Sequence, residues 1–126
     1  MPRIAAYALV LVVGVELALW EAFLVAARPF GTELPLAAAV AVVGNLLVGV
    51  AGARVLGRPL GAAVPGVLWL VLALTLGSRT AAGDVVVTGT FRGMAFLLAG
   101  TAAAAVPVGL ATGRRSRATP RGETRR

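Results

Sequence analysis

The sequence predicts an all-α integral membrane protein: four transmembrane helices in a compact bundle, with both termini in the cytoplasm. Three observations predict it. The 126 residues are 59% hydrophobic and only 13% charged. An ordinary soluble domain is about a quarter charged, so this chain cannot give itself a water-compatible surface. The apolar residues also fall into four blocks that are apolar all round, and a block of that kind and of sufficient length reads as a membrane span. Finally, the basic residues segregate between the gaps that separate the blocks.

The first block covers 4–27 and ends before Arg28 and Pro29. A helix needs about 20 residues to cross the hydrocarbon core, and this block supplies them. It is longer than the apolar region of a signal peptide and contains Glu16 and Glu21, so it reads as a retained span. The second span is expected over 34–56, entered through Pro35, which is tolerated in a first turn because its missing N–H would find no helical partner there. The third, over 62–77, is the shortest and carries Pro65 early and Trp69 near its middle. The fourth, over 91–112, contains Pro107, which predicts a kink or a fraying end. Between the third and fourth spans, Gly83 and Asp84 precede Val85, Val86 and Val87, and Gly89 follows. That pattern predicts a short extended arm on the outer face.

Four spans put the N-terminus, the loop around Arg54 and Arg58, and the C-terminal tail on one side. That side carries Arg3, Arg54, Arg58, Arg114, Arg115, Arg117, Arg121, Arg125 and Arg126; the other carries Arg28, Arg79 and Arg92. The excess of positive charge places the first side in the cytoplasm, at the plasma (inner) membrane of a bacterium. All twelve basic residues are arginine, and with the heavy Ala, Val, Gly and Leu usage this reads as a GC-rich, actinobacterial coding bias.

The tail, 113–126, is expected to be a disordered basic segment. Directly after a span, Arg114, Arg115 and Arg117 would face the bilayer and attract anionic lipids. Without interleaved aromatic residues, the tail does not read as a nucleic-acid-binding segment. Helices in lipid associate through small residues and polar contacts. Candidate packing positions are Gly14 and Ala18 in the first span, and Ala41, Gly49 and Ala53 in the second. The second-span stripe, which also includes Ala37 and Asn45, reads either as intramolecular packing or as a face for a second copy or another membrane protein.

The polar residues inside the spans are the candidate site. Glu16 lies near the middle of the first span, where an acid costs roughly 2.5–3.5 kcal/mol to insert. It reads as a proton or cation site, or as the partner of a donor such as Asn45 or an inward-reaching arginine. Glu21, about 140° further around the helix, reads as an interfacial residue reaching water, beside Trp20 and approachable by Arg28. Arg79, Asp84 and Arg92 form a candidate polar cluster on the outer face. Trp69 reads as a packing residue.

The chain has no Cys and no His, which removes thiol chemistry, disulfides and ordinary zinc sites. No catalytic, cofactor-binding or metal-binding constellation is present in the residue pattern, so no cofactor and no enzymatic activity are expected.

The plan resembles a group of actinobacterial four-span membrane proteins of unknown function. The likeness rests on the short basic N-terminus, Arg79 and Thr80 followed by Gly83-Asp84-Val85-Val86-Val87 and Gly89, and the arginine-rich tail. It also resembles, more weakly, the small multidrug resistance transporters, four-span chains that work as dimers. In that likeness Glu16 would be the first-span acid that binds proton and cationic substrate in competition, but the aromatic cluster expected in spans two and three is missing. The sequence thus points to a non-enzymatic accessory or scaffold subunit, with a small proton-coupled transporter or channel centred on Glu16 as the alternative.

Overall fold

A computed structural model of the chain describes residues 2–26, 35–77 and 90–118, and these form four helices. They are α1 (Pro2–Leu24), α2 (Leu36–Leu56), α3 (Leu60–Gly77) and α4 (Phe91–Ala118). The protein is all-helical, and each of the four helices is long and apolar enough to cross a membrane. The outer arm expected around Val85–Val87, and Arg28, Arg79 and Asp84 with it, lie outside the described residues.

The helix limits have local causes. Pro2 opens α1, where its fixed φ suits a first turn. Between α2 and α3 the chain reverses in three residues. Gly57 takes the left-handed conformation (φ 62°, ψ 22°) that ends α2, and Arg58 and Pro59 accept the amide hydrogen bonds that start α3. The Thr90 hydroxyl accepts the Gly93 N–H at 3.4 Å and caps α4. At its other end α4 runs to Ala118, six residues past the span limit expected at Thr112. Arginine is a good helix former, and Arg115 and Arg117 sit favourably in a last turn, so the start of the basic tail continues the helix.

The helices alternate in direction. The start of α1, the α2–α3 turn and the end of α4 therefore share one end of the bundle, here termed the arginine end. Helices α2 and α3 form the central pair, with α1 and α4 packed on opposite sides; among the described residues the backbones of α1 and α4 do not approach each other closely. The interior is made of small residues. Ala18, Ala22, Val25, Ala37, Ala41 and Ala73 are buried, with Trp69 and Phe96 as the only large side chains among them. Larger apolar residues face outward, including Leu9, Phe23, Leu47, Val67, Leu74, Leu98 and Leu110. A soluble helical protein sorts the other way, with large apolar side chains inside.

Glycine sets the helix spacing. Gly52 of α2 and Gly61 of α3 cross backbone to backbone, and a Cβ on either would collide with the other's carbonyl. Pro65, inside α3, has no N–H to give the carbonyl of Gly61 four residues earlier. The Tyr7 hydroxyl of α1 donates to that carbonyl instead, at 3.3 Å. On the other side of α2, Gly49 takes the buried ring of Pro107 from α4, whose Cβ lies 3.0 Å from where a Gly49 Cβ would stand.

Candidate functional site

The buried polar residues gather in the half of the bundle away from the arginine end, and all four helices supply them. Glu21 of α1 is fully buried. It lies on the face that also carries Ala18, Ala22 and Val25, positions three or four apart that turn inward together. Its Oε2 accepts the Trp69 indole N–H from α3 at 2.7 Å. Its Oε1 is buried and has no hydrogen-bond partner among the described residues. That oxygen lies over Gly44 of α2, where any Cβ would collide with it.

Trp69 carries the arrangement across the bundle. Its six-membered ring lies over Gly100 of α4, which has no side chain to obstruct it. The ring is 5.2 Å from that of Phe96, at an interplanar angle of 55°, a tilted pairing favourable for aromatic rings. Asn45 of α2, buried next to Gly44, donates from Nδ2 to the Gly100 carbonyl at 3.2 Å. Glu21, Trp69, Gly100 and Asn45 therefore make one connected polar layer, with Gly44 and Gly100 clearing the space for it. Through Trp69 the layer links α1 to α4, whose backbones do not approach each other closely.

The structure distributes the sequence candidates differently from expectation. Glu16 is exposed on the outer side of α1, so it is not the partner of Asn45, whose amide is bonded to Gly100. Glu21, expected to reach interfacial water beside Trp20, is the acid inside, while Trp20 is 72% exposed. Rotation by about 100° per residue explains the exchange: the inward side of α1 is the small-residue side, and Glu21 is on it. In the sequence, Ala18 and Ala22 around Glu21 mark that side, whereas depth along the helix alone favours Glu16. Trp69 packs as expected, and its buried indole N–H also requires an acceptor, which Glu21 supplies. Gly44 and Gly100 matter through the side chains that lie over them, which the sequence does not display.

The packing candidates are placed as follows. Ala18 and Ala41 are buried in the core. A Cβ on Gly14 would stand 3.1 Å from Val48 Cγ1. Gly49 receives Pro107, and Ala53 is half-buried. Of the second-span stripe, Ala37, Ala41, Asn45 and Gly49 pack inside the chain, and Ala53 borders a cavity. Of the outer cluster only Arg92 is described; it is almost fully covered and has an interaction partner.

At the arginine end, α2 and α4 diverge around a cavity of about 510 Å³. Arg114 and Arg115, from the helical start of the tail, meet Arg54 and Arg58 there. Arg117 is exposed one turn further along α4. A shallower apolar groove between α1 and α2 is lined by Leu9, Val13, Leu47 and Val48. Glu21 lines neither. Among the described residues no cluster of three His, Cys, Asp or Glu could hold a metal ion. Comparison with protein-family models, with curated proteins and with solved structures finds no match in any of the three.

Proposed function

We propose that this chain is a four-span protein of the plasma membrane, with both termini cytoplasmic, that acts as a non-enzymatic accessory or scaffold subunit. The observation that carries the reading is the use made of the interior. Buried polar side chains and glycines join helix to helix, through Trp69 to Glu21, Asn45 to Gly100 and Gly52 against Gly61. The inside-small, outside-large sorting of side chains suits lipid as the surrounding solvent. The outer face of α1 gives a partner a place to dock. Leu9, Val13, Trp20 and Phe23 are exposed there at heptad-like spacing, with Glu16 among them. A carboxyl on that face is poorly served by lipid and well served by a donor from a neighbouring helix.

The chain contains no cysteine, so single-cysteine variants report without background. With a thiol crosslinker in native membranes, Val13→Cys and Trp20→Cys should trap one defined partner, and Val67→Cys on α3 should not. Membrane-impermeant thiol labelling of Ala81→Cys but not Ser116→Cys in intact cells would agree with cytoplasmic termini; the opposite pattern would reverse the orientation.

A second reading, proton-coupled transport, is favoured by the buried Glu21 Oε1, which has no partner among the described residues, and by the mid-helix Glu16. Liposomes holding a pH-sensitive dye decide between the two. The accessory reading expects no flux above empty vesicles. A flux abolished by Glu16→Gln or Glu21→Gln would replace it with the transporter reading.

A further inference from the structure

We infer that the cavity at the arginine end, between α2 and α4, is a binding site for one anionic phospholipid. The headgroup phosphate would be held by Arg54, Arg58 and Arg114, and an acyl chain would run along Val50 and Leu110. The inference rests on the membrane-spanning reading but concerns neither Glu16 nor the partner face.

Convergence is the first ground. A purely topogenic charge needs only to be on the correct side of the membrane. Here Arg54 and Arg58, at the end of α2 and in the turn after it, meet Arg114, more than fifty residues later, around a single cavity. They meet because Gly57 turns the chain back in three residues and because α4 stays helical past the apolar span. Had the tail left the helix at Thr112, nothing would fix Arg114 beside Arg58.

The second ground is the lining itself. Val50, Ala53, Pro107, Leu110 and Ala111 make the cavity wall apolar beneath a basic rim, and no carboxylate among the described residues lines it. A soluble anion has no use for that wall, whereas a phospholipid has both a charge for the rim and a chain for the wall. Guanidinium groups match phosphate oxygens in planar, two-pronged geometry. The volume of about 510 Å³ lies in the range of about 300–1,000 Å³ usual for ligand sites. It accommodates a headgroup and the upper part of one chain, the remainder lying in the bilayer. The site is at the end of the bundle where an anionic cytoplasmic leaflet presents such headgroups.

The test uses the full-length chain, purified in detergent and exchanged into nanodiscs of phosphatidylcholine with a minor fraction of phosphatidylglycerol. Lipid retained after re-extraction is counted by native mass spectrometry. The wild-type chain should keep one phosphatidylglycerol per protein. Each basic contact near the surface contributes about fivefold, so Arg54→Gln with Arg58→Gln should weaken retention about thirtyfold. The charge-matched pair Arg3→Gln with Arg117→Gln, on the same side but off the cavity, should retain lipid as the wild type does. Leu110→Trp fills the cavity without changing charge and should also abolish retention; an unchanged helical melting curve shows that it folds. Equal loss in both arginine pairs would mean diffuse attraction and overturn the site. Displacement of the lipid by glycerol 1-phosphate at matching concentration would mean a soluble-anion site and overturn the lipid assignment. Whether the wild-type chain needs detergent for extraction tests the membrane premise separately.

Discussion

The two ends of this bundle solve the same packing problem in opposite ways. Away from the arginine end, the Trp69 ring and the Glu21 carboxyl are seated over glycines, Phe96 packs against Trp69, and the interior closes around a polar layer. Towards the arginine end, α2 and α3 cross backbone to backbone at Gly52 and Gly61, while α2 and α4 part around an open cavity. Among lipid tails, helices gain little from hiding apolar surface, and close approach and hydrogen bonds must hold them. One end achieves this by filling glycine clearances with side chains. The other brings backbones together on one side of α2 and, beyond the Gly49–Pro107 contact, opens a cavity on the opposite side.

The largest effect is expected at the link that the closed end depends on. Trp69→Ala removes the ring over Gly100, the Phe96 pairing and the only donor that Glu21 has among the described residues. Loss of a buried large aromatic costs about 3–5 kcal/mol, and the carboxyl left without a donor adds to it. Unfolding in mixed micelles, titrated with a denaturing detergent, should show Trp69→Ala as the most destabilised of the single variants. A loss below about 1 kcal/mol, the scale of one hydrogen bond, would mean that the layer does not hold this end together.

A smaller effect tests the clearances. Gly44→Ala and Gly100→Ala each place a methyl group against Glu21 and Trp69 respectively, and overpacking of that kind costs about 1–3 kcal/mol. Gly109→Ala makes the same chemical change where nothing lies within 4 Å of the new carbon. There the gain in helix propensity, up to about 1 kcal/mol, should dominate. Opposite signs in the same unfolding titration would sharpen the comparison; equal small gains at all three positions would break it.

The helices were legible in the sequence because length and apolarity alone decide them, and α2 and α3 fall within two residues of the expected spans. The α4 extension is not legible in the same way, because the charge of Arg114 to Arg117 predicts a solvated tail although arginine also favours helix. The polar layer was legible only in pieces. Asn45 stands out in the sequence as a polar member of the second-span stripe and a candidate donor to Glu16, but its acceptor is a backbone carbonyl, which no residue type reveals. The choice between Glu16 and Glu21 depends on rotation about the α1 axis. Apolar residues surround that helix, so hydrophobic periodicity could not fix the rotation; the size pattern at Ala18, Ala22 and Val25 could.

The smallest effect separates the two acids of α1, five residues apart and on different sides. Glu21 is enclosed and bonded to Trp69, whereas Glu16 is exposed on the outer face. Glu21→Leu removes the acceptor and leaves the indole N–H of Trp69 buried without a partner, which should cost about 1–3 kcal/mol. Glu16→Gln in the isolated chain should change stability by no more than about 0.5 kcal/mol, as for a substitution that touches no neighbour within the fold. The contrast turns on protein concentration. If Glu16→Gln destabilises the chain increasingly as the protein-to-detergent ratio rises, the outer face of α1 is covered by a second copy, and Glu16 belongs to that interface. If its effect stays small at every ratio while Glu21→Leu remains costly, the chain is complete without a copy of itself, and the face around Glu16 is left for a different protein.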